Sequence, residues 1–301
     1  MSSIKTITVF TPCYNRGSLL PRLYASLLQQ STANFEWLLV DDGSTDDTKA
    51  VVASFIAEQK IPISYYYKSN GGKHTAINLG VQKAQGDLFF IVDSDDFLSN
   101  DALAVTTHFW EQYKDNSAVC GMIGLSEYTN GQTVGDLFLQ DEWQLSFSDF
   151  YLKYQLRGDK SVAFKTSVMK AYPFPEAPGI RFVFEDVVWH AMSKSYDVLA
   201  VNKVIQYKEY LEEGLSDSSY KLWYIQSLAF SYFQLLANQT YSLSRYPKTY
   251  LWSFIHLASN SLLSGTSYFN QLPTLQSKCF YLLLFPRGYF SYWRMKKLIR
   301  T

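Results

Sequence analysis

The stretch "DLFFIVDSDDFLS", residues 87–99, decides the fold because it joins a strand-like apolar run to a cluster of acidic side chains. Five apolar residues stand directly before Asp93, Asp95 and Asp96. Such a continuous apolar run is typical of a strand that is covered on both faces of a sheet. Neighbouring carboxylates disfavour one another's ionisation. The stretch therefore predicts a buried strand that ends at a site for a cation.

Strand-like and helix-like segments alternate along the first part of the chain. The β-rich runs lie at 6–12, 35–42, 63–68 and 87–93, and the helical patterns lie at about 17–30, 44–59, 74–85 and 101–114. This alternation predicts an α/β fold with a mostly parallel sheet covered by helices. Ser44 and Asp47 have the spacing of a capping box, which predicts the start of the second helix.

Polar clusters follow the four strand-like runs. They are "CYNR" (13–16), "DDGS" (41–44), "SNGGKH" (69–74) and "DSDD" (93–96). The carboxyl ends of parallel strands meet at one edge of a sheet, and ligands of open α/β sheets bind there. The sequence therefore predicts one site that is built from four loops.

Composition and charge divide the chain into two parts. The 301 residues are 47% hydrophobic and 18% charged, which is enough for one large globular domain or for a domain with an appendage. All 27 acidic residues lie at or before Asp217, together with 18 of the 27 basic residues. Residues 218–301 carry nine basic residues and no acidic ones, and they are rich in aromatics. This asymmetry predicts two regions with different partners.

The second half of the chain is less regular than the first. Residues 157–170 predict a strand followed by a helix, "EDVVWHAM" (185–192) predicts the start of a helix, and 218–285 predict two or three helices. The three cysteines are widely spaced, which favours reduced thiols in a cytosolic protein. The N-terminal apolar run is too short for a signal peptide, and the apolar run at 279–285 is too short to span a bilayer.

The three carboxylates after the fourth strand are candidate metal ligands. Asp93, Asp95 and Asp96 supply the hard oxygen atoms that Mg²⁺ and Mn²⁺ prefer. A metal held by few side chains keeps positions open for phosphate oxygens. The alternative is that Asp95 and Asp96 only begin a turn, with Ser99 or Asn100 capping the next helix. The position at the end of a buried strand favours the metal.

Two further loops carry candidate nucleotide contacts. A carboxylate of Asp41 or Asp42 can accept the imide N–H of uracil or thymine, although the same segment also fits a plain turn before a helix. Gly72 permits a close approach of the backbone, the helix start after it favours a diphosphate, and Lys73 adds a positive charge. The P-loop pattern GxxxxGK[ST] is absent from this sequence.

Glu185 and Asp186 are candidates for a general base, because a carboxylate near an acceptor hydroxyl can take its proton. The alternative for both is compensation of the helix dipole. Asp159, in "RGDK", is a candidate contact to the acceptor, or it anchors a loop through Arg157 or Lys160.

Together these motifs resemble the family 2 glycosyltransferases, which have the GT-A fold. The resemblance rests on "TVFTPCYNR", "WLLVDDGSTDDT", "NGGKHTAINLGVQKAQGDLFFIVDSDDFLSNDAL" and the later "ED". It covers residues 5–115 strongly and 155–217 loosely. It implies a Rossmann-like mixed sheet between helices and an inverting transfer of sugar from a nucleotide diphosphate sugar, commonly UDP-linked, to an acceptor hydroxyl.

The resemblance also implies roles for individual residues. The base-binding residues would be Asp42 and Asp41, the catalytic base would be Asp186 or Glu185, and the metal would be Mn²⁺ or Mg²⁺ at Asp93, Asp95 or Asp96. The remaining residues assigned to the nucleotide are Thr11, Pro12, Tyr14, Asn15, Gly72, Lys73, Asn78 and Ser94. "YLEEGLS" (210–216) stands where many relatives carry a late active-site histidine, and no histidine lies there.

This interpretation sets the expected domains and partners. We expect a catalytic domain over 1–217, with a nucleotide-sugar half at 1–115 and an acceptor half at 116–217, and a basic helical region over 218–301. Basic residues and aromatics favour an anionic membrane over nucleic acid. We therefore expect a cytoplasmic protein, peripheral on the inner face of the membrane, that acts on a glycan or lipid-linked acceptor. The alternatives are a nucleotidyltransferase of related fold and a non-catalytic sugar-nucleotide-binding protein.

Overall fold

The architecture was obtained as a computed structural model, which describes residues 6–209 and 222–299. The described residues divide into two compact units. The first unit runs to residue 173 and resumes from 195 to 209, and the second comprises 174–194 and the helices from 222 onward. The predicted domain boundary at residue 217 lies outside the described residues. Residues 174–194, which were expected in the acceptor half, belong to the helical unit.

The first unit is built on a mixed sheet with helices α1 to α6. Its strand order is β3-β2-β1-β4-β8-β6-β9-β5, with β7 also paired to β9. The strands are β1 (Ile7–Cys13), β2 (Phe35–Asp41), β3 (Ile63–Tyr67), β4 (Leu88–Ile91), β5 (Phe97–Leu98), β6 (Val119–Tyr128), β7 (Trp143–Leu145), β8 (Ser161–Lys165) and β9 (Asp197–Lys208). The helices are α1 (Leu20–Leu28), α2 (Thr48–Glu58), α3 (Lys73–Lys83), α4 (Ala102–Tyr113), α5 (Phe147–Leu152) and α6 (Thr166–Ala171).

The predicted α/β alternation is confirmed over the first four strands. β3, β2, β1 and β4 pair in parallel, so the loops after these strands open at one edge of the sheet. β1, β2 and β4 are buried along their whole lengths, as their near-continuous apolar runs predict. β8 then joins β4 in the antiparallel direction and makes the sheet mixed.

Aromatic packing fixes the helices against the parallel half of the sheet. The rings of Tyr24 on α1 and Phe55 on α2 stack with centroids 4.2 Å apart, and both contact Trp37 of β2. Trp37 also donates from its indole N–H to Thr11 Oγ1 at 3.0 Å, so its polar atom is satisfied in the core. The sheet that carries these loops is therefore closely packed against α1 and α2.

The predicted capping box at the second helix is wrong. α2 begins at Thr48 with Asp47 at the N-cap position. Ser44 instead accepts a hydrogen bond at its Oγ from the backbone N–H of Asn15, at 2.8 Å. The Ser44 hydroxyl therefore ties the loops after β1 and β2 together at the sheet edge, and this contact takes the place of a local helix cap.

The second unit is helical. Its helices are α7 (Asp186–Met192), α8 (Leu222–Ala237), α9 (Pro247–Ser264) and α10 (Leu275–Ile299). α9 and α10 approach closely where Gly288 faces α9, because a Cβ at this glycine would lie 2.6 Å from the Cβ of Ala258. Among the described residues, no helix combines the length and the apolar character that crossing a bilayer requires.

Candidate functional site

Three carboxylates cluster in the loop after β4. Asp93, Asp95 and Asp96 each offer an oxygen atom, and these atoms lie within 4.8 Å of one another. The backbone N–H of Asp96 donates to the carbonyl of Asp93 at 3.0 Å, which closes the turn that brings the side chains together. Oxygen ligands at this spacing suit Mg²⁺ or Mn²⁺, so the donor set fits the ion that the sequence predicts.

Two lysines neutralise part of this acidic cluster. Lys73 Nζ lies 2.8 Å from Asp93 Oδ1, and Lys208 Nζ lies 3.3 Å from Asp96 Oδ2. Burial raises the pKa of Asp93, but the charges of Lys73 and Lys208 outweigh burial and hold this pKa below its ordinary value. Burial, with the charges of Asp93 and Asp95, raises the pKa of Asp96 to about 7 in spite of Lys208.

Residues from α1 and β9 hold the acidic loop in place. Arg22 donates from Nη2 to the backbone carbonyl of Asp95 at 2.6 Å, and its guanidinium lies 4.6 Å from the ring centroid of Phe97. Gln206 of β9 donates from its side-chain amide to Asp96 Oδ2. No sequence motif marks Arg22, Gln206 or Lys208 as part of this site. The pairing of β5 with β9 places the last two beside the loop from more than 100 residues away.

Asp41 and Asp42 lie at the end of β2, and their carboxylate oxygens already accept hydrogen bonds from neighbouring groups. Asp41 accepts from the backbone N–H of Ser44 at 2.7 Å and from the hydroxyl of Tyr65. Asp42 pairs with Lys68 at 2.6 Å. Asp42 also accepts from the backbone N–H groups of the two glycines before α3, at 2.9 Å and 2.7 Å. Each carboxylate has about four acceptor positions, and both side chains are buried. The base-binding role stays a prediction.

Asn15 connects the loops after β1 and β2. The backbone of Asn15 has a positive φ of 53°, which asparagine tolerates better than most residues. Its Oδ1 accepts the backbone N–H groups of Thr45 at 2.8 Å and of Asp46 at 3.3 Å. The structure thus gives Asn15 a role in shaping the predicted nucleotide loop.

The other residues assigned to the nucleotide differ in exposure. Tyr14 is exposed, at 46%, after β1. Thr11 is fully buried and accepts from the Trp37 indole, and Pro12 is buried beside it in β1. Ser94 is buried within the acidic loop. Gly72 and Lys73 begin α3, and Asn78 lies one to two turns farther along the same helix.

Position 72 requires glycine for a geometric reason. Its φ is 96°, in the region that L side chains rarely adopt. The same backbone directs its N–H at Asp42 and begins the helix that carries Lys73. A side chain at position 72 would therefore disturb the loop between β3 and α3.

Asp159 lies in the first unit near the same cluster. Its side chain is 82% exposed, and its Oδ2 lies 3.7 Å from Lys208 Nζ. Of the predicted anchors, Lys160 donates from its ammonium to the carbonyls of Val134 and Asp136, and Arg157 donates from its backbone N–H to Asp136 Oδ2. The acceptor role of Asp159 stays a prediction.

Glu185 and Asp186 lie at the start of α7 in the helical unit, so the predicted helix start is confirmed. The segment that leads to them is held by α8, because the N–H groups of Phe182 and Phe184 donate to the hydroxyls of Ser227 and Ser231. The Asp186 side chain is 56% exposed, and its Oδ2 lies 4.0 Å from the Nε2 of His190. Burial lowers the pKa of His190 to about 4, so this imidazole is neutral at pH 7.

Comparison with known proteins identifies a family. The family model described as glycosyl transferase family 2 matches residues 8–175, which is more than half of the chain. A glycosyltransferase of Haemophilus influenzae, described as uncharacterized, is 38% identical over 106 residues, covering 35% of this chain and 42% of that protein. Glycosyltransferase GlyG of Streptococcus pneumoniae is 34% identical over 115 residues, covering 38% of each chain. The chain thus spans less than half the length of these relatives.

Solved structures share the fold at low sequence identity. S. aureus TarS 1–349 in complex with UDP-GlcNAc superposes with a TM-score of 0.61 at 21% identity, covering 92% of this chain and 78% of that one. Mannosyltransferase PcManGT of Pyrobaculum calidifontis, with GDP-Man and Mn²⁺, has a TM-score of 0.56 at 16% identity, covering 99% and 84%. These similarities confirm the predicted GT-A architecture.

Proposed function

Because the chain belongs to glycosyl transferase family 2, we propose that it transfers a sugar from a nucleotide diphosphate sugar to an acceptor hydroxyl. The observation that carries this proposal is the acidic cluster of Asp93, Asp95 and Asp96 at the carboxyl end of β4, with Lys73 and Lys208 beside it. Carboxylates and ammonium groups in one place suit a metal-bound diphosphate, since each partner offsets the charge of the other.

The proposed donor is a UDP-sugar. TarS, a structural neighbour, was solved with UDP-GlcNAc and with UDP. The carboxylates of Asp41 and Asp42, at the end of the neighbouring strand β2, can accept the imide N–H of uracil. PcManGT was solved with GDP-Man, so GDP-sugars are the comparison in any donor screen.

The proposed reaction is a single displacement. Asp93, Asp95 and Asp96 would hold Mn²⁺ or Mg²⁺, which supplies positive charge to the departing diphosphate when it is bound. The acceptor oxygen forms a bond to the anomeric carbon as the bond from that carbon to the diphosphate oxygen breaks. The bonding electrons leave with the nucleoside diphosphate, and the acceptor proton passes to a carboxylate. This displacement inverts the anomeric centre.

We assign the proton acceptor to the carboxylate pair at the start of α7, with Asp186 ahead of Glu185. Asp186 is exposed, and the serine hydroxyls of α8 fix the backbone before it. A base of this kind typically contributes about 10²- to 10⁴-fold to the rate. Asp186→Asn should therefore lower turnover by about 100-fold or more, and Glu185→Gln is the matched control.

Release of UDP tests the proposed function. The chain is incubated with UDP-sugars, Mn²⁺ and a panel of glycan and lipid-linked acceptors, and free UDP is measured. Acceptor-dependent release that Asp186→Asn abolishes supports the transfer. Donor binding with no release for any acceptor would identify a non-catalytic sugar-nucleotide-binding protein instead. An equal loss of UDP release in Glu185→Gln and Asp186→Asn would contradict the choice of Asp186 over Glu185 as the proton acceptor.

We further propose that α10 places the protein on an anionic membrane, which brings it to a lipid-linked acceptor on the cytoplasmic face. Apolar side chains of this helix are exposed, with Phe290 at 67% and Trp293 at 52%. Arg294 and Lys297 are exposed on the same helix. A helix with exposed aromatics and basic residues suits the interface of an anionic bilayer. Residues 218–301 contain no acidic residue that would oppose the contact.

Vesicle binding tests the membrane proposal. Arg294→Glu combined with Lys297→Glu should weaken binding to phosphatidylglycerol vesicles by at least about tenfold, since each basic residue near an anionic surface contributes about 1 kcal/mol. The matched control is Lys49→Glu with Lys203→Glu, which makes the same charge change at two exposed lysines of the first unit. Equal weakening by both pairs, or no binding by the wild type, would contradict the assignment to α10.

A further inference from the structure

We propose that Lys208 of β9 is a ligand of the donor diphosphate, and that it holds Asp96 when the acidic loop carries no metal. This inference rests on the proposed function and deepens it, because it adds a cationic residue to the donor site from outside the matched region of residues 8–175. The side chain would exchange one anionic partner, a carboxylate, for another, a phosphate.

The position of Lys208 places an ammonium group beside the acidic cluster. Lys208 is the last residue of β9, and its Nζ lies 3.3 Å from Asp96 Oδ2 and 3.7 Å from Asp159 Oδ2. The pKa of Lys208 is raised although burial opposes its charge, because the nearby carboxylates, chiefly Asp96, favour the charged form. The side chain keeps 21% of its surface exposed. Lys208 is therefore a charged group in contact with the cluster and with solvent.

Asp96 has a second donor that is independent of Lys208. The amide of Gln206 donates to the same oxygen, Oδ2. Ser161 fixes the orientation of that amide, because its hydroxyl donates to Gln206 Oε1 at 2.9 Å and contacts the hydroxyl of Ser126 at 3.0 Å. The neutral partner of Asp96 is thus built into the buried sheet. Asp96 keeps a hydrogen bond when Lys208 leaves it.

Charge decides which partner Lys208 takes. A divalent ion among the carboxylates repels the nearby ammonium, and the diphosphate that accompanies the ion attracts it. A lysine side chain is long and flexible, so its ammonium can turn without movement of β9. The same residue should therefore oppose metal binding alone and favour binding of the nucleotide with the metal.

The opposite effects expected on the binding of metal alone and on the binding of nucleotide distinguish the proposal from a purely structural role of Lys208. If Lys208 only stabilised the acidic loop, its removal would weaken the binding of metal and of nucleotide together. If Lys208 binds the diphosphate, Lys208→Met should bind Mn²⁺ alone about threefold more tightly or better. The same variant should bind UDP, at saturating Mn²⁺, at least about tenfold more weakly, as expected for one charge-assisted contact.

The test is a pair of titrations of the full chain. Mn²⁺ is titrated alone, by electron paramagnetic resonance of the free ion, and UDP is titrated calorimetrically with Mn²⁺ present. Lys208→Arg keeps the charge and should stay within about threefold of the wild type in both titrations. Lys203→Met, at an exposed lysine of the same strand about 16 Å away along β9, is the matched control and should change neither. Lys208→Gln provides a second neutral variant if Lys208→Met fails to fold.

The outcomes are distinguishable. Tighter Mn²⁺ binding with weaker UDP binding in the neutral variants supports the assignment. Weaker Mn²⁺ binding, or unchanged UDP binding, overturns it. If the wild type binds Mn²⁺ but neither UDP, GDP nor dTDP, the proposed function fails as well. If the wild type binds UDP with the metal and Lys208→Met binds it equally, only the assignment of Lys208 is lost.

Discussion

Replacing Asp42 with asparagine should destabilise the chain by about 2–4 kcal/mol. The buried carboxylate of Asp42 pairs with Lys68 and accepts two backbone N–H groups, those of Gly71 and Gly72. Hydrogen bonds to a charged group contribute about 1.5–3 kcal/mol each, and asparagine keeps one acceptor oxygen while turning an N–H₂ toward donors. The sum of these contributions overestimates the loss of stability. Lys68 keeps 22% of its side chain exposed, so solvent partly screens its charge.

Urea unfolding measures the free energy of unfolding of this variant. Asp47→Asn, at an exposed aspartate of the same loop, is the matched control and should change stability by no more than about 0.5 kcal/mol. In the double variant with Lys68→Met, the two effects should fall short of additivity by about 1 kcal/mol or more, because the residues contact each other. If Asp42→Asn lowered the free energy of unfolding by less than about 1 kcal/mol but strongly weakened UDP binding, the stabilising role of Asp42 would be refuted. Such a result would indicate a residue that serves only nucleotide binding.

Three further changes test separate parts of the structure. The free energy of unfolding should fall by up to roughly 3 kcal/mol between pH 6.5 and pH 4. Burial lowers the pKa of His190 to about 4, so in this range the unfolded chain binds a proton that the folded chain does not. Equal pH dependence of stability for the wild type and His190→Phe would contradict this. Gly80→Ala should lower the thermal midpoint by an amount that corresponds to about 1–3 kcal/mol, because its Cβ would lie 2.2 Å from the ring of Phe10, and an unchanged midpoint would show that the ring moves freely. Tyr65→Phe should lower the free energy of urea unfolding by about 1–3 kcal/mol through loss of the hydrogen bond to buried Asp41, and a neutral effect would show that another donor replaces the hydroxyl.

The parallel half of the fold is predictable because its signals are local. Near-continuous apolar runs predict β1, β2 and β4, and the burial of these strands follows from the layers of helices on the sheet. The convergence of polar loops follows from parallel pairing, since every strand then ends at the same edge. The acidic cluster at Asp93, Asp95 and Asp96 was found for this reason, and the structure brings the three side chains together.

The remaining parts depend on pairing between distant segments. Gln206 and Lys208 are single polar residues in an ordinary strand pattern, and only the pairing of β9 with β5 places them at the acidic loop. The capping box failed for a similar reason, because Ser44 bonds to Asn15 across the loops. Residues 174–194 are read as part of the α/β domain from sequence, but the hydroxyls of Ser227 and Ser231 on α8 hold this segment in the helical unit.

Calorimetric titration with UDP, first with Mn²⁺ and then with EDTA, tests the central claim most directly. We predict binding that requires the metal, that is lost in Asp95→Asn and that persists in Asp47→Asn, the control in the loop after β2. Binding that is equal in EDTA, or that survives in Asp95→Asn, would contradict a metal-dependent donor site at the acidic cluster.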